Sequence, residues 1–224
     1  MTHAQDERHA ICDLLAEVGP DQPTLCEGWQ TADLAAHLVL REHRPDAAAG
    51  VVGGPLSGHT RRVQAKLARR YTFAQLVELI RTGPPRLSVF GVPGADERLN
   101  LTEYFVHHED VRRGLPEWQP RKLTPELSDI LWDRLGLARF MLRKAPVGVE
   151  LVRADSAGPG AAETFPAGHG RVRIPAKART PVVTVTGDSA ELTLWTMGRA
   201  SAADVRLDGN DSDVAALRST SWRS

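Results

Sequence analysis

Glu103-Tyr104-Phe105-Val106-His107-His108-Glu109-Asp110 sets a carboxylate and an imidazole four residues apart in a stretch that reads as helix. Positions i and i+4 share a helix face, so Glu103 and His107 can grip one metal ion from the same side. An open catalytic zinc site uses three protein ligands and keeps the fourth position for water or substrate. His37 offers the third. His108 is excluded by spacing, because five residues from Glu103 is about 140° round a helix and points away. Plainer readings stand beside this one. Asn100-x-x-Glu103 is a capping box, in which Glu103 closes the helix N-terminus, and a histidine flanked by Leu34 and Leu38 serves equally as a packed, hydrogen-bonded residue.

Upstream, the chain reads as a succession of helices. Thr2-x-x-Gln5 is a capping box, and Ile11, Leu14, Leu15 and Val18 follow at helical spacing up to Gly19-Pro20. After a loop carrying Leu25-Cys26-Glu27-Gly28-Trp29, Thr31 can cap a second helix through Asp33, Leu34, His37, Leu38 and Arg41, stopped by Pro45. Asp33 stands four residues before His37 and either orients its imidazole or faces solvent beside it. Residues 46–56 are small and glycine-rich, a connection; Thr60 to Arg70 reads as a third helix. Thr72-x-x-Gln75 caps a fourth, which buries Phe73, Leu76, Val77 and Ile80 and ends at Gly83-Pro84-Pro85. The Gly- and Pro-rich segment from Pro84 to Arg98 is long enough to line a site. It delivers the chain into the Glu103 helix, which closes at Arg113-Gly114.

Thr124-Pro125 opens a last long helix through Leu127, Leu131, Leu135 and Phe140 to Pro146. Helices with short links over this span form a bundle, whose core is a usual place for metal ligands. Beyond Pro146 the pattern changes. Val149 to Val152, Arg171 to Ile174 and Val182 to Thr186 read as short strands, followed by a helix over Ala190 to Trp195 closed by Gly198, a strand over Asp204 to Leu207 and a helix over Asp211 to Leu217. The expectation is an α+β chain of two domains: 1–146, a metal-binding helical bundle, and 147–224, a small α+β domain. The Gly- and Ala-rich loop from Asp155 to His169 is the expected place for proteolytic nicking.

Composition limits the partners. Lys+Arg 28 against Asp+Glu 28 gives zero net charge, so there is no electrostatic case for nucleic acid or anionic membrane. The start of the chain is polar and acidic rather than signal-like, and no apolar run reaches membrane length, which points to the cytoplasm. Cys12 and Cys26 fit no disulfide framework or zinc-ribbon spacing and read as reduced thiols. No base is fixed near Cys26 in sequence, so a nucleophilic role for it lacks support.

Leu25-Cys26-Glu27-Gly28-Trp29-x-x-x-Asp33-Leu34-Ala35-Ala36-His37-Leu38, with Glu103-x-x-x-His107-x-x-Asp110-Val111-Arg112, resembles the mycothiol-dependent maleylpyruvate isomerase family, which is related to the DinB-like metal-binding four-helix bundles. Val183-Thr184-Val185-Thr186-Gly187-Asp188-x-x-Glu191-Leu192-x-Leu194-Trp195-x-x-Gly198-Arg199 is similar to that family's smaller, sterol-carrier-like domain. The resemblance implies a divalent metal, zinc in the first instance, on His37, Glu103 and His107, with a low-molecular-weight thiol such as mycothiol bound as thiolate. It implies an isomerase or S-transferase acting on a small electrophile. Asp33, and Glu109 or Asp110, are then candidates for orienting the histidines. Arg199, in the Gly-Arg turn, is a candidate for holding a carboxylate of substrate or thiol, its alternative being a surface arginine. Shared folds do not fix a substrate. The rival reading is a non-catalytic metal- or small-ligand-binding protein, of a regulatory kind, in which the second domain carries the pocket.

Overall fold

The computed structural model describes residues 2–43, 57–84, 95–154 and 172–220. The chain is α+β and divides into two compact units, the first running to Pro120 and the second starting at Arg121.

In the first unit, α1 (His3–Val18) begins on the expected capping box: Gln5 N donates to Thr2 Oγ1 and Thr2 N to Gln5 Oε1. It ends at Gly19, whose φ of 81° is one that a side chain resists. Next come α2 (Thr31–His43), α3 (Ser57–Arg70), α4 (Phe73–Thr82) and α5 (Ala95–Arg112). The capping box of Thr72 and Gln75 opens α4. Ile11, Leu15, Leu34, Leu38, Leu76, Ile80 and Tyr104 fill one core between α1, α2, α4 and α5. The expected connection at 46–56, the stop at Pro45 and most of the 84–98 segment lie outside the described residues.

The Asn100 capping box is not formed. Helix α5 starts at Ala95, so Asn100 lies inside it, fully buried, and its amide donates to Glu42 instead. Glu103 is therefore an interior helix residue. The reason is tertiary: a polar partner on α2 takes the side chain that a local cap would have used.

The second unit opens with α6 (Pro125–Arg134), capped by Thr124. The long helix expected to reach Pro146 is broken. A 3₁₀ turn at Leu135–Leu137, which contains Gly136, leads to the short α7 (Ala138–Met141) and another 3₁₀ turn at Leu142–Lys144. Strands β1 (Gly148–Arg153), β2 (Arg173–Lys177), β3 (Val182–Gly187) and β4 (Arg206–Asp208) form one sheet in the order β2-β1-β3-β4. The β1–β3 pair is parallel, with Leu151 opposite Val185, and both outer pairs are antiparallel. Helices α8 (Ser189–Thr196) and α9 (Asp211–Arg218) complete the unit.

The division between units falls before α6 and not at Pro146. Trp132, Leu135, Ala138 and Leu142 share a single apolar core with Leu151, Val183, Val185, Leu192 and Trp195. The helical segment ahead of β1 thus buries its apolar face on the sheet, and a sheet needs such a cover. The loop from Asp155 to His169 lies outside the described residues.

Candidate metal centre

Helix α2 is buried on nearly every side, from Leu34 and Ala35 through Leu40, so His37 is carried into the core of the first unit and is only 5% exposed. Helix α5 is likewise buried from Tyr104 to Val111. The two helices present matched pairs one turn apart, His37 with Arg41 on α2 and Glu103 with His107 on α5. The imidazoles of His37 and His107 meet edge to face with centroids 5.1 Å apart, and the Trp29 ring also lies 5.1 Å from that of His37, tilted against it. His107 Nε2 lies 3.5 Å from Glu103 Oε2, and Arg41 Nε lies 3.7 Å from the same oxygen. One ligand atom from each of His37, Glu103 and His107 falls within 4.8 Å of the others. The three residues chosen from sequence are brought together.

The other nitrogen of His107 is spoken for. Nδ1 lies 2.8 Å from Oδ2 of Asp110, which is fully buried, and Cys26 Sγ donates to that same oxygen at 3.2 Å. Leu25 N donates to the Asp110 carbonyl at 3.0 Å, fixing the Cys26 loop to the end of α5. Close backbone approach continues at Gly114, where any Cβ would collide with Pro23 and Thr24. A carboxylate on one imidazole nitrogen sets the ring's orientation and strengthens the other nitrogen as a ligand.

Charge in the centre is strongly coupled. Burial acts to lower the pKa of His107, but its hydrogen bonds to Asp110, Cys26 and Glu103 outweigh this and hold it well above the ordinary value. Burial pushes Glu103 up, yet the hydrogen bond from His107 and the charge of Arg41 win and bring it down to about 2. Glu103 is therefore anionic at neutral pH, as a carboxylate ligand must be.

The remaining sequence candidates fall elsewhere. Asp33 turns its carboxylate to Gln30 N at 3.1 Å, at the start of α2, and so does not orient His37; a backbone donor at a helix start competes for it. Glu109 is buried between Arg112 and Arg113, 2.7 Å from each, a structural ion cluster. His108 points to Glu7 on α1, with Nδ1 2.9 Å from Oε2, in keeping with its exclusion by spacing. Arg199 belongs to the second unit, just past α8, where its Nη1 donates to the Met197 carbonyl at 2.6 Å. Cys12 is fully buried and its thiol is pushed by burial up to about 12, a core residue. Cys26 gains neighbours that sequence did not show: with His107 and Asp110 it forms a second group of clustered ligand atoms. Arg41, one turn beyond His37, is a neighbour of Glu103 that the sequence pattern alone does not single out.

Among the described residues no helix is long and apolar enough to cross a membrane. No protein-family model matches the sequence, and no curated protein matches it. Two solved structures share the fold. The chain is similar to the mycothiol-dependent maleylpyruvate isomerase at 15% identity and a TM-score of 0.58, over 92% of this chain and 90% of that one. It is similar to a histidine-to-alanine mutant of the mycothiol-dependent maleylpyruvate isomerase at 14% identity and a TM-score of 0.59, with the same coverage. At such identities the likeness is one of fold.

Proposed function

We propose that this chain is a metal-dependent enzyme that uses a low-molecular-weight thiol, of the mycothiol kind, to isomerise or transfer a thiol to a small electrophile. The observation that carries the reading is the convergence of His37, Glu103 and His107 from two facing helices, in a fold shared with a thiol-dependent isomerase. Two imidazoles and one carboxylate suit zinc or a neighbouring divalent ion, and three protein ligands are the number found in open catalytic sites. The donor chemistry of the site therefore fits the ion. Such an ion, when bound, lowers the pKa of a coordinating thiol and supplies a nucleophile at neutral pH.

The chain's own residues have distinct tasks. His37 and His107 would supply nitrogens, His107 after giving up its Nε2 proton to the incoming ion, and Glu103 an anionic oxygen. Asp110 holds the proton of His107 at Nδ1, which leaves Nε2 directed at Glu103 and the ion's place. Trp29 packs against the His37 ring in a tilted arrangement, with centroids 5.1 Å apart.

The test is metal analysis of the purified protein, followed by a screen of electrophiles with and without a cellular thiol. About one equivalent of zinc, and turnover that needs both metal and thiol, is the expected result. Turnover that survives chelation would sink the reading. Cys26→Ser separates the open site from a closed one: zinc content should be retained, whereas its loss would make Cys26 a further ligand and the ion structural.

A further inference from the structure

The facing pairs have a fourth corner. Arg41 follows His37 by one turn on α2 as His107 follows Glu103 on α5, and its Nε faces the Glu103 carboxylate at 3.7 Å. Its Nη1 donates to Asn100 Oδ1. Asn100 in turn donates to Glu42 Oε1 at 3.0 Å, and Arg8 Nη2 donates to that same oxygen at 2.7 Å. Asn100 and Glu42 are 0% and 2% exposed, so this relay runs through the interior of the first unit from α1 to Glu103.

A cation beside a metal ligand has two opposing effects. Its charge repels a divalent ion, while its ion pair with the ligand holds that ligand in place. A loosely held lysine-like charge would chiefly repel. A guanidinium tethered by a buried amide at one nitrogen presents the next at a set angle, and planarity lets one group serve both partners. We propose, on the footing of the metal reading above, that Arg41 is a positioning residue for Glu103, holding its carboxylate toward His37 and His107 through its anchor on Asn100. Asp110 does the corresponding work for His107 from the other side, so each α5 ligand has its own support.

Chelator competition on the full chain measures the effect directly. Arg41→Gln should weaken zinc affinity on the order of tenfold or more, the usual consequence of losing a residue that supports a ligand. Arg41→Lys, which keeps charge but lacks the planar fork, should fall between. Arg81→Gln, which breaks an exposed pair with Asp13, should match the parent. Cobalt-loaded Arg41→Gln should show altered ligand-field bands, which a merely structural role would not produce. Parent-like or tighter zinc binding by Arg41→Gln would overturn the proposal while leaving the metal reading intact. If that variant does not fold, parent-like affinity in Arg41→Lys overturns it in the same way. A parent that binds no zinc overturns the metal reading, and this inference with it.

Discussion

His107 and Asp110, one turn apart on α5, meet through Nδ1 and Oδ2 at 2.8 Å, which leaves Nε2 of the imidazole facing Glu103 at 3.5 Å. One helical turn thus carries both a proposed ligand and the carboxylate that aims it. The Cys26 thiol shares the same Asp110 oxygen, so the loop before α2 is tied to the orientation of His107. Asp110→Asn keeps the shape of this contact and removes its charge. Zinc affinity measured by chelator competition is expected to fall about 10- to 100-fold, as for other carboxylates behind a ligating histidine. An unchanged affinity would show that Asp110 is only packing.

The ligand set makes a sharper demand on the histidines. His37→Ala and His107→Ala should each reduce zinc to well below one equivalent, while His108→Ala retains it because His108 faces Glu7. Glu103→Gln preserves size and hydrogen bonding and should also lose zinc. Equal metal loss in the His108 variant would remove the distinction on which the assignment rests.

Stability against pH follows from His107. Its pKa in the folded chain lies well above 6.5 because its hydrogen bonds to Asp110, Cys26 and Glu103 outweigh burial. A raised folded value gives stability that is complete below the unfolded pKa and is lost as pH rises through the folded one. Chelator-treated protein should therefore melt at a lower temperature at pH 9 than at pH 6. His107→Gln should flatten that slope, and a slope equal to the parent's would assign it to other groups.

Leu142 tests how the chain is divided. It is fully buried in the core shared by the α6 segment and the sheet, so Leu142→Ala should cost about 2–5 kcal/mol. A fragment beginning at Arg121 should fold alone and one beginning at Val147 should not, as read by near-ultraviolet circular dichroism. A well-folded Val147 fragment would restore the boundary at Pro146.

What could be read from sequence was local. The i,i+4 pair of Glu103 and His107, the Thr2 and Thr72 capping boxes and the strand pattern after Pro146 each reside in a few consecutive residues, and each appears in the structure. What could not be read required a partner distant in sequence. Cys26 meets Asp110 across 84 residues, and Asn100 gives up a local cap for Glu42 across 58. The apolar face of α6 shows that it must be covered but not by which core. Asp33 failed for the opposite reason: a nearer backbone donor at Gln30 took the carboxylate that spacing had paired with His37.

On the proposed reading, His37, Glu103 and His107 would hold a metal ion, and that ion would bind a small thiol as thiolate. A free thiol has a pKa near 8.5 and is mostly protonated at pH 7, so binding in this form should release about one proton per site. The measurement is a titration of cobalt-loaded protein with mycothiol at pH 7, followed by absorbance and proton release together. Sulfur-to-cobalt charge-transfer absorption rising with the released proton, and absent in chelator-treated protein, is the expected result. A cobalt spectrum that stays silent at saturating thiol, or equal thiol binding without metal, would contradict the account.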